Sequence, residues 1–95
     1  MLSMPSRAAH GFRHDPTKAR RLLSAMVDLL AGRNLAATHA LRESRAGGSP
    51  PQRRGADVAQ RWDIDHDYHL HYWKRADQSI EFAVVVTHND FSIPR

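Results

Sequence analysis

The chain contains no cysteine, only two lysines among its 14 basic residues, and no apolar run long enough to cross a membrane. The absence of cysteine excludes disulfide bonds and thiolate metal sites, and nothing in the composition points to an oxidising compartment. The longest apolar stretch, residues 22–31, is interrupted by Ser24 and Asp28. Because no apolar segment with a small-residue cleavage site stands near the start, we expect no signal peptide and a cytoplasmic location.

The size and charge of the chain favour one small basic domain. A length of 95 residues allows a single domain with a modest core. The formal net charge of +4 attracts phosphate backbones and acidic proteins, although an ordinary soluble surface has such a charge too. Arginine predominates over lysine, and its planar guanidinium suits bidentate phosphate contacts.

A helix is predicted over residues 16–31. Asp15 is a favourable N-cap, Pro16 suits the first helical position, and Gly32 is a typical residue after a helix C-terminus. Apolar residues recur at helical spacing between these limits, and we expect their stripe to lie mostly in the core. The stripe consists of Leu22, Leu23, Met26, Val27, Leu29 and Leu30.

The segments on either side of this helix have weaker patterns. Residues 1–14 show no periodicity and are expected to form an irregular or mobile arm before a single domain at residues 15–95. Residues 35–44 suit either a loop or a short second helix. Residues 45–56 contain consecutive glycines and prolines, which predict a flexible loop that carries Arg53 and Arg54.

The remainder of the chain alternates with period two and predicts strands. The apolar parity holds Trp62, Ile64, Tyr68, Leu70 and Tyr72, with a possible break near Asp65. Residues 80–86 alternate again with both faces apolar, which is typical of a central strand. We therefore predict an antiparallel hairpin over residues 67–87, and an α+β fold in which one or two N-terminal helices pack on a small antiparallel sheet.

Imidazoles and carboxylates cluster around this hairpin and suggest acid–base chemistry. A histidine beside a carboxylate is an economical general acid or base near neutral pH, and it can cleave RNA without a metal. A solvated strand face explains the same residues about as well. The candidate catalytic residues are Asp63, His66, Asp67, His69 and His88.

A metal site is the competing chemical hypothesis. His69 and His71 lie on one strand face, with Asp67 on the same parity, and such a set can hold zinc or iron(II). A suitably placed fourth ligand is missing, because Lys74, Arg75 and Ala76 follow instead. We therefore expect no metal and no cofactor.

Basic and aromatic residues supply candidates for RNA contact. Phe91 follows the last strand and can stack on a base, or else pack back onto the sheet. Trp73 has the polar parity and is expected to be half exposed, whereas Tyr68 and Tyr72 are expected in the core. The candidate RNA-binding residues are Arg53, Arg54, Arg61, Lys74, Arg75 and Phe91.

The C-terminal third resembles the RelE superfamily of bacterial toxins, in particular its YafQ and HigB branches. Residues 67–74, DYHLHYWK, are similar to a family strand with a carboxylate, an aromatic and a Tyr–Lys run. Residues 80–91, IEFAVVVTHNDF, are similar to the strand that closes on Thr-His, a short polar pair and an aromatic. Residues 29–35, LLAGRNL, are similar to the end of the second family helix.

The resemblance implies a ribonuclease toxin of a type II toxin–antitoxin pair, which cleaves mRNA at the ribosome and is neutralised by an antitoxin protein. It makes His88 the terminal catalytic histidine, Asp67 the strand aspartate and Phe91 the terminal aromatic. Asp63 stands where a YafQ-like enzyme has a second histidine, and His66 or His69 are the neighbouring substitutes. The alternatives are a non-catalytic relative that binds RNA or a partner protein, and a small metal-binding protein.

Overall fold

The structure, a computed structural model, describes residues 15–95, and the arm predicted for residues 1–14 lies outside this range. One helix packs against a small antiparallel sheet, which confirms the predicted α+β class. None of the helical segments in the described range combines the length and apolar character needed to span a bilayer.

The helix, α1 (Pro16–Ala31), begins and ends where the sequence predicts. The Asp15 carboxylate accepts a hydrogen bond from the Thr17 backbone N–H at 3.0 Å, and Pro16 occupies the first turn, where no N–H is required. Gly32 ends the helix in the left-handed conformation, with a φ of 70°, which glycine adopts at little cost.

Five antiparallel strands form the sheet. Their bounds are β1 (Thr38–Ala40), β2 (Arg53–Arg54), β3 (Asp57–Asp63), β4 (Tyr68–Lys74) and β5 (Ile80–Thr87). The order across the sheet is β1-β3-β4-β5, and β2 pairs with β3 on the side where β1 lies. The predicted hairpin is confirmed as β4 and β5, and the predicted break near Asp65 separates β3 from β4.

In the middle of the chain the prediction for residues 35–44 was wrong, and that for residues 45–56 missed a short strand. Residues 35–44 form neither a continuous loop nor a second helix, because a 3-10 turn at Leu35–Ala37 leads directly into β1. The loop predicted for residues 45–56 contains β2, and Arg42 and Pro51 form an isolated bridge at its base. Strands of two or three residues are too short to produce an alternating pattern that a sequence can reveal.

α1 covers one face of the sheet with only part of its apolar stripe. Leu22, Ala25 and Leu29 are buried against Trp62, Leu70, Tyr72 and Val85. Leu23, Val27 and Leu30 remain exposed, contrary to the prediction of a mostly buried stripe. A helix that rests on a flat sheet buries only one side, so an apolar arc this wide cannot all reach the core.

The C-terminal segment covers the other side, which we call the second face. The Trp73 indole N–H donates to the Pro94 carbonyl at 2.9 Å, and Ile93 is buried beside Trp73, Leu41, Ala59 and Ala83. Trp73 is therefore fully buried, whereas the sequence predicted half exposure. The prediction that β5 is a central strand was also wrong, because β5 ends the sheet within the described residues. Its second face is apolar because the chain that follows β5 buries it.

If the C-terminal segment is part of the core, Ile93→Ala will destabilise the protein by about 2–3 kcal/mol, the cost of truncating a buried aliphatic side chain. The matched control is Leu35→Ala, because Leu35 is 57% exposed and its truncation is expected to change the free energy of unfolding by less than about 0.5 kcal/mol. Urea unfolding measures both values. Equal effects would show that residues 91–94 do not seal the second face.

Candidate acid–base site

The candidate site lies on the second face, where β1, β3 and β4 run side by side. The strand register sets His39 opposite Arg61, Arg61 opposite His71, and Asp63 opposite His69. Directly opposed residues of antiparallel strands project from the same face, with Cβ atoms about 5 Å apart. The backbone therefore brings these five polar side chains together.

The Asp63 carboxylate is the centre of the cluster. Its Oδ2 lies 3.2 Å from His39 Nε2, and its Oδ1 lies 3.0 Å from Arg61 Nε and 3.4 Å from His69 Nε2. His88, which follows β5, places its ring 6.2 Å from the His69 ring, measured between centroids. Two imidazoles and a guanidinium thus contact one carboxylate, and a third imidazole stands beside His69.

Four buried polar atoms of this face have no hydrogen-bond partner in residues 15–95. They are Arg61 Nε, Asp63 Oδ1, His69 Nδ1 and His71 Nε2. The close approach of Arg61 to Asp63 is therefore a contact of charges rather than a directed hydrogen bond. Leaving a buried polar group unpaired costs about 1–3 kcal/mol, and nearly all such groups are paired in native proteins. Two of the four atoms, Arg61 Nε and Asp63 Oδ1, lie 3.0 Å apart in an ion pair, whereas His69 Nδ1 and His71 Nε2 have no partner among the described residues.

Burial keeps two imidazoles neutral. It lowers the pKa of His69 to about 4, although the nearby Asp63 carboxylate opposes this effect. Burial likewise lowers the pKa of His71, whose Nδ1 lies 2.6 Å from the Ser92 carbonyl oxygen. A carbonyl oxygen only accepts, so Nδ1 carries the His71 proton and Nε2 is the unprotonated nitrogen. At pH 7 His69 and His71 are therefore uncharged.

A cleft of about 370 Å³ opens beside this cluster. Two guanidinium groups, one imidazole and one aromatic ring border it, a combination that suits an anionic ligand with a flat ring. Its wall consists of His39, Ala40, Leu41, Arg42, Arg61 and Phe91.

The structure separates two of the predicted catalytic residues from the cluster. Asp67 lies in the turn between β3 and β4, where its Oδ2 is 2.7 Å from Lys18 Nζ, and this hydrogen bond lowers the pKa of Asp67. The His66 side chain is 95% exposed in the same turn. His88 remains adjacent to the turn, since its backbone N–H donates to the Asp67 carbonyl at 3.1 Å. Asp63, His69 and His88 are thus brought together, whereas His66 and Asp67 stand at the rim.

The predicted RNA-binding residues also divide into two groups. Arg61 and Phe91 border the cleft, whereas the others lie near the far end of the sheet, and Lys74 is roughly 17 Å along β4 from His69. Arg54 is held by Asp57 and Glu81 and stacks on Trp73, at 4.6 Å from its ring centroid. Arg75 is bound to Glu81 as well, while Arg53 and Lys74 are exposed.

Sequence reasoning missed His39 and Arg42 as site residues. His39 lies in the three-residue strand β1, and Arg42 follows it, so neither had a pattern that predicted its position. The hypothetical metal set is not assembled: the His69 and His71 rings are 6.4 Å apart, and Asp67 is bound to Lys18. Within the described range, no group of three or more histidine, aspartate or glutamate side chains has the arrangement of a metal site.

Comparisons with known protein families, with curated proteins and with solved structures find no match for this chain. Its class is therefore defined by the fold and the site: an α+β domain with an imidazole–carboxylate cluster beside an arginine-lined cleft.

The buried neutral histidines make stability depend on pH. Because the pKa of His69 is lower in the folded than in the unfolded protein, its contribution is fully present above about pH 6.5 and is lost as the pH falls toward 4. For His69 alone the loss amounts to about 3 kcal/mol. We expect the free energy of unfolding, measured with urea, to fall between pH 7 and pH 4, and His69→Gln to flatten this fall.

The carboxylates of Asp65 and Glu81 have pKa values lowered to about 2, by hydrogen bonds from Lys18 and from Arg54 respectively. Their contributions to stability are therefore lost mainly below pH 4, outside the window assigned to His69. A parent protein with constant stability from pH 7 to pH 4.5 would contradict the burial of His69.

Proposed function

We propose that this protein is the ribonuclease toxin of a type II toxin–antitoxin pair, and that it cleaves mRNA by metal-independent acid–base catalysis at the Asp63 cluster. The observation that carries the proposal is the contact of His39, His69 and Arg61 with one carboxylate beside a cleft suited to a nucleotide. The resemblance of the C-terminal third to RelE-type toxins supports the same function.

The chemistry requires a base, an acid and a cation around one phosphate. A base removes the proton of the ribose 2′-hydroxyl, whose oxygen attacks the adjacent phosphorus and forms a 2′,3′-cyclic phosphate. An acid then protonates the departing 5′-oxygen. In the proposed mechanism Arg61, which lines the cleft, stabilises the additional negative charge of the transition state.

Two histidines have positions that suit proton transfer on either side of Asp63 and His69. The side chain of His39 is 48% exposed, and its Nε2 lies 3.2 Å from Asp63 Oδ2, a contact that orients the ring. His88 stands on the other side, beside His69. His69 has an unpaired Nδ1, and a bound phosphate monoanion would raise its pKa toward the range useful for catalysis.

The Phe91 ring and Arg42 extend the site to the rest of the nucleotide. In the proposed complex a base stacks against Phe91, and the neighbouring phosphate lies between Arg42 and Arg61. The proposed partners are thus mRNA on the ribosome in the cytoplasm and an antitoxin protein that blocks the cleft.

A non-catalytic relative that binds RNA through the same cleft is the second candidate. It is favoured by the burial of His69, which lowers the pKa of this ring to about 4 and makes it a weak base before a ligand binds. This candidate requires the cleft arginines but not His39 or His88.

The first test is inducible expression in a bacterium, together with cleavage of RNA by purified protein in the presence of a chelator. We expect growth arrest and cleaved transcripts for the parent, and a loss of about 10²–10⁴-fold in cleavage rate for His39→Ala or His88→Ala. His66→Ala is the matched control, because this exposed imidazole makes only a 3.7 Å contact with Asp67.

If the parent is soluble but leaves growth and transcripts intact, the toxin proposal is wrong and RNA binding alone remains. If His88→Ala cleaves as fast as the parent, His88 is not the acid or base.

RNA affinity measured against salt concentration tests the cleft separately from catalysis. Arg42→Ala is expected to weaken binding to a single-stranded RNA and to reduce the slope of log affinity against log salt by about 1. Arg75→Ala removes the same charge at the far end of the sheet, where Glu81 already binds it, and should leave the slope unchanged. The reverse result would move the RNA path to the Lys74 end.

A further inference from the structure

One glutamine side chain connects two residues that border the cleft. The Gln52 Nε2 amide donates to the Phe91 carbonyl at 2.6 Å and to the Arg42 carbonyl at 3.1 Å. Both carbonyl oxygens only accept, so the amide nitrogen must face them, and these two bonds use both of its hydrogens. Arg42 and Phe91 line the cleft, whereas Gln52 itself does not border it.

The backbone of Gln52 is fixed by the sheet. Its N–H donates to the Leu41 carbonyl at 2.9 Å, and its carbonyl accepts from the Ala59 N–H at 3.0 Å. Leu41 and Ala59 belong to the core of the second face and are 1% and 0% exposed. A side chain with a fixed backbone and two directed hydrogen bonds has little freedom to adapt. Gln52 therefore holds Arg42 and Phe91 at a set separation.

The two cleft residues depend on Gln52 to different degrees. The Arg42 guanidinium has a support of its own, because its Nη1 donates to the Ser49 carbonyl at 2.7 Å. Phe91 is only partly buried against the core of the second face, and the Gln52 amide binds its carbonyl directly. The next hydrogen bond from this segment to the sheet is made by the Ser92 carbonyl. Loss of the Gln52 amide should therefore displace the Phe91 ring more than the Arg42 guanidinium.

We propose that Gln52 is a positioning residue of the cleft, which holds the Phe91 ring at a fixed distance from Arg42 and so selects a ligand with a flat base and a phosphate on one nucleotide. A preset separation allows a nucleotide to use both contacts without the entropic cost of ordering them. The ligand in this inference rests on the proposed function, whereas the placement of Phe91 by Gln52 does not.

Fluorine NMR of the full chain labelled with para-fluorophenylalanine tests the placement of Phe91 without any ligand. The chain has three phenylalanines, and Phe91→Leu identifies the resonance of interest. Gln52→Met keeps the length of the side chain but removes both hydrogen bonds, so it should shift the Phe91 resonance. Gln60→Met is the matched control, because Gln60 is equally half-buried but lies on the other face of β3, and it should leave that resonance in place.

Binding of a short 2′-O-methyl oligoadenylate, which lacks the attacking hydroxyl, tests the ligand. Gln52→Met should weaken binding about 5–50-fold, the range expected for the loss of one stacked base. Affinity for an abasic oligomer of the same length should change less than about twofold, since Arg42 and Arg61 still contact its phosphates. In a Phe91→Ala background the substitution should have little further effect, because Gln52 acts through that ring.

Each part of the inference has its own contrary result. An unmoved Phe91 resonance in Gln52→Met would overturn the positioning role. Equal weakening of both oligomers, or a full further loss in the Phe91→Ala background, would show that Gln52 supports the fold alone. If the parent binds neither oligomer although its Phe91 resonance responds to Gln52→Met, the proposed RNA function is wrong, and so is the nucleotide assigned to the cleft.

Discussion

Two hydrogen bonds from β4 to the C-terminal segment hold the second face together. The His71 Nδ1–H donates to the Ser92 carbonyl, and the Trp73 indole N–H donates to the Pro94 carbonyl. They satisfy polar atoms that a strand buried on both faces would otherwise leave unpaired. They also hold Ile93 in the core and Phe91 at the cleft, so one backbone path both closes the core and builds one wall of the site.

The main elements of the fold could be predicted because each has a local physical signature. The Asp15 cap, the glycine stop and the period-two alternation all act within a few residues and are visible in one sequence. The errors arose where burial depends on distant chain. Trp73 has the parity of a polar face, and only the return of residues 91–94 buries it. Because both faces of β5 are apolar, the sequence predicted a central strand with a neighbouring strand on each side. In the structure β5 ends the sheet within the described residues, and residues 91–94 bury its second face.

The site was partly predictable for a related reason. Asp63 and His69 share a parity on strands that pair, and His88 ends the hairpin, so their proximity follows from topology alone. Asp67 has the same parity as His69, yet Lys18 of the distant helix draws its carboxylate away from the second face. His39 reaches Asp63 from a strand of three residues that has no detectable pattern. Long-range ion pairs and very short strands are the features that a single sequence hides.

The position of the polar cluster follows from where the apolar cover ends. Along β4 the second face changes from Trp73, sealed by the C-terminal segment, through the bonded His71, to His69 with its unpaired Nδ1. Desolvation without a matching hydrogen bond keeps His69 neutral at pH 7 and also costs the small domain stability. An apolar side chain of the same shape at this position would not carry that desolvation cost. His69 thus lies where the apolar cover of the second face ends and the arginine-lined cleft begins, and the same lack of cover leaves Asp63 within reach of His39 and Arg61.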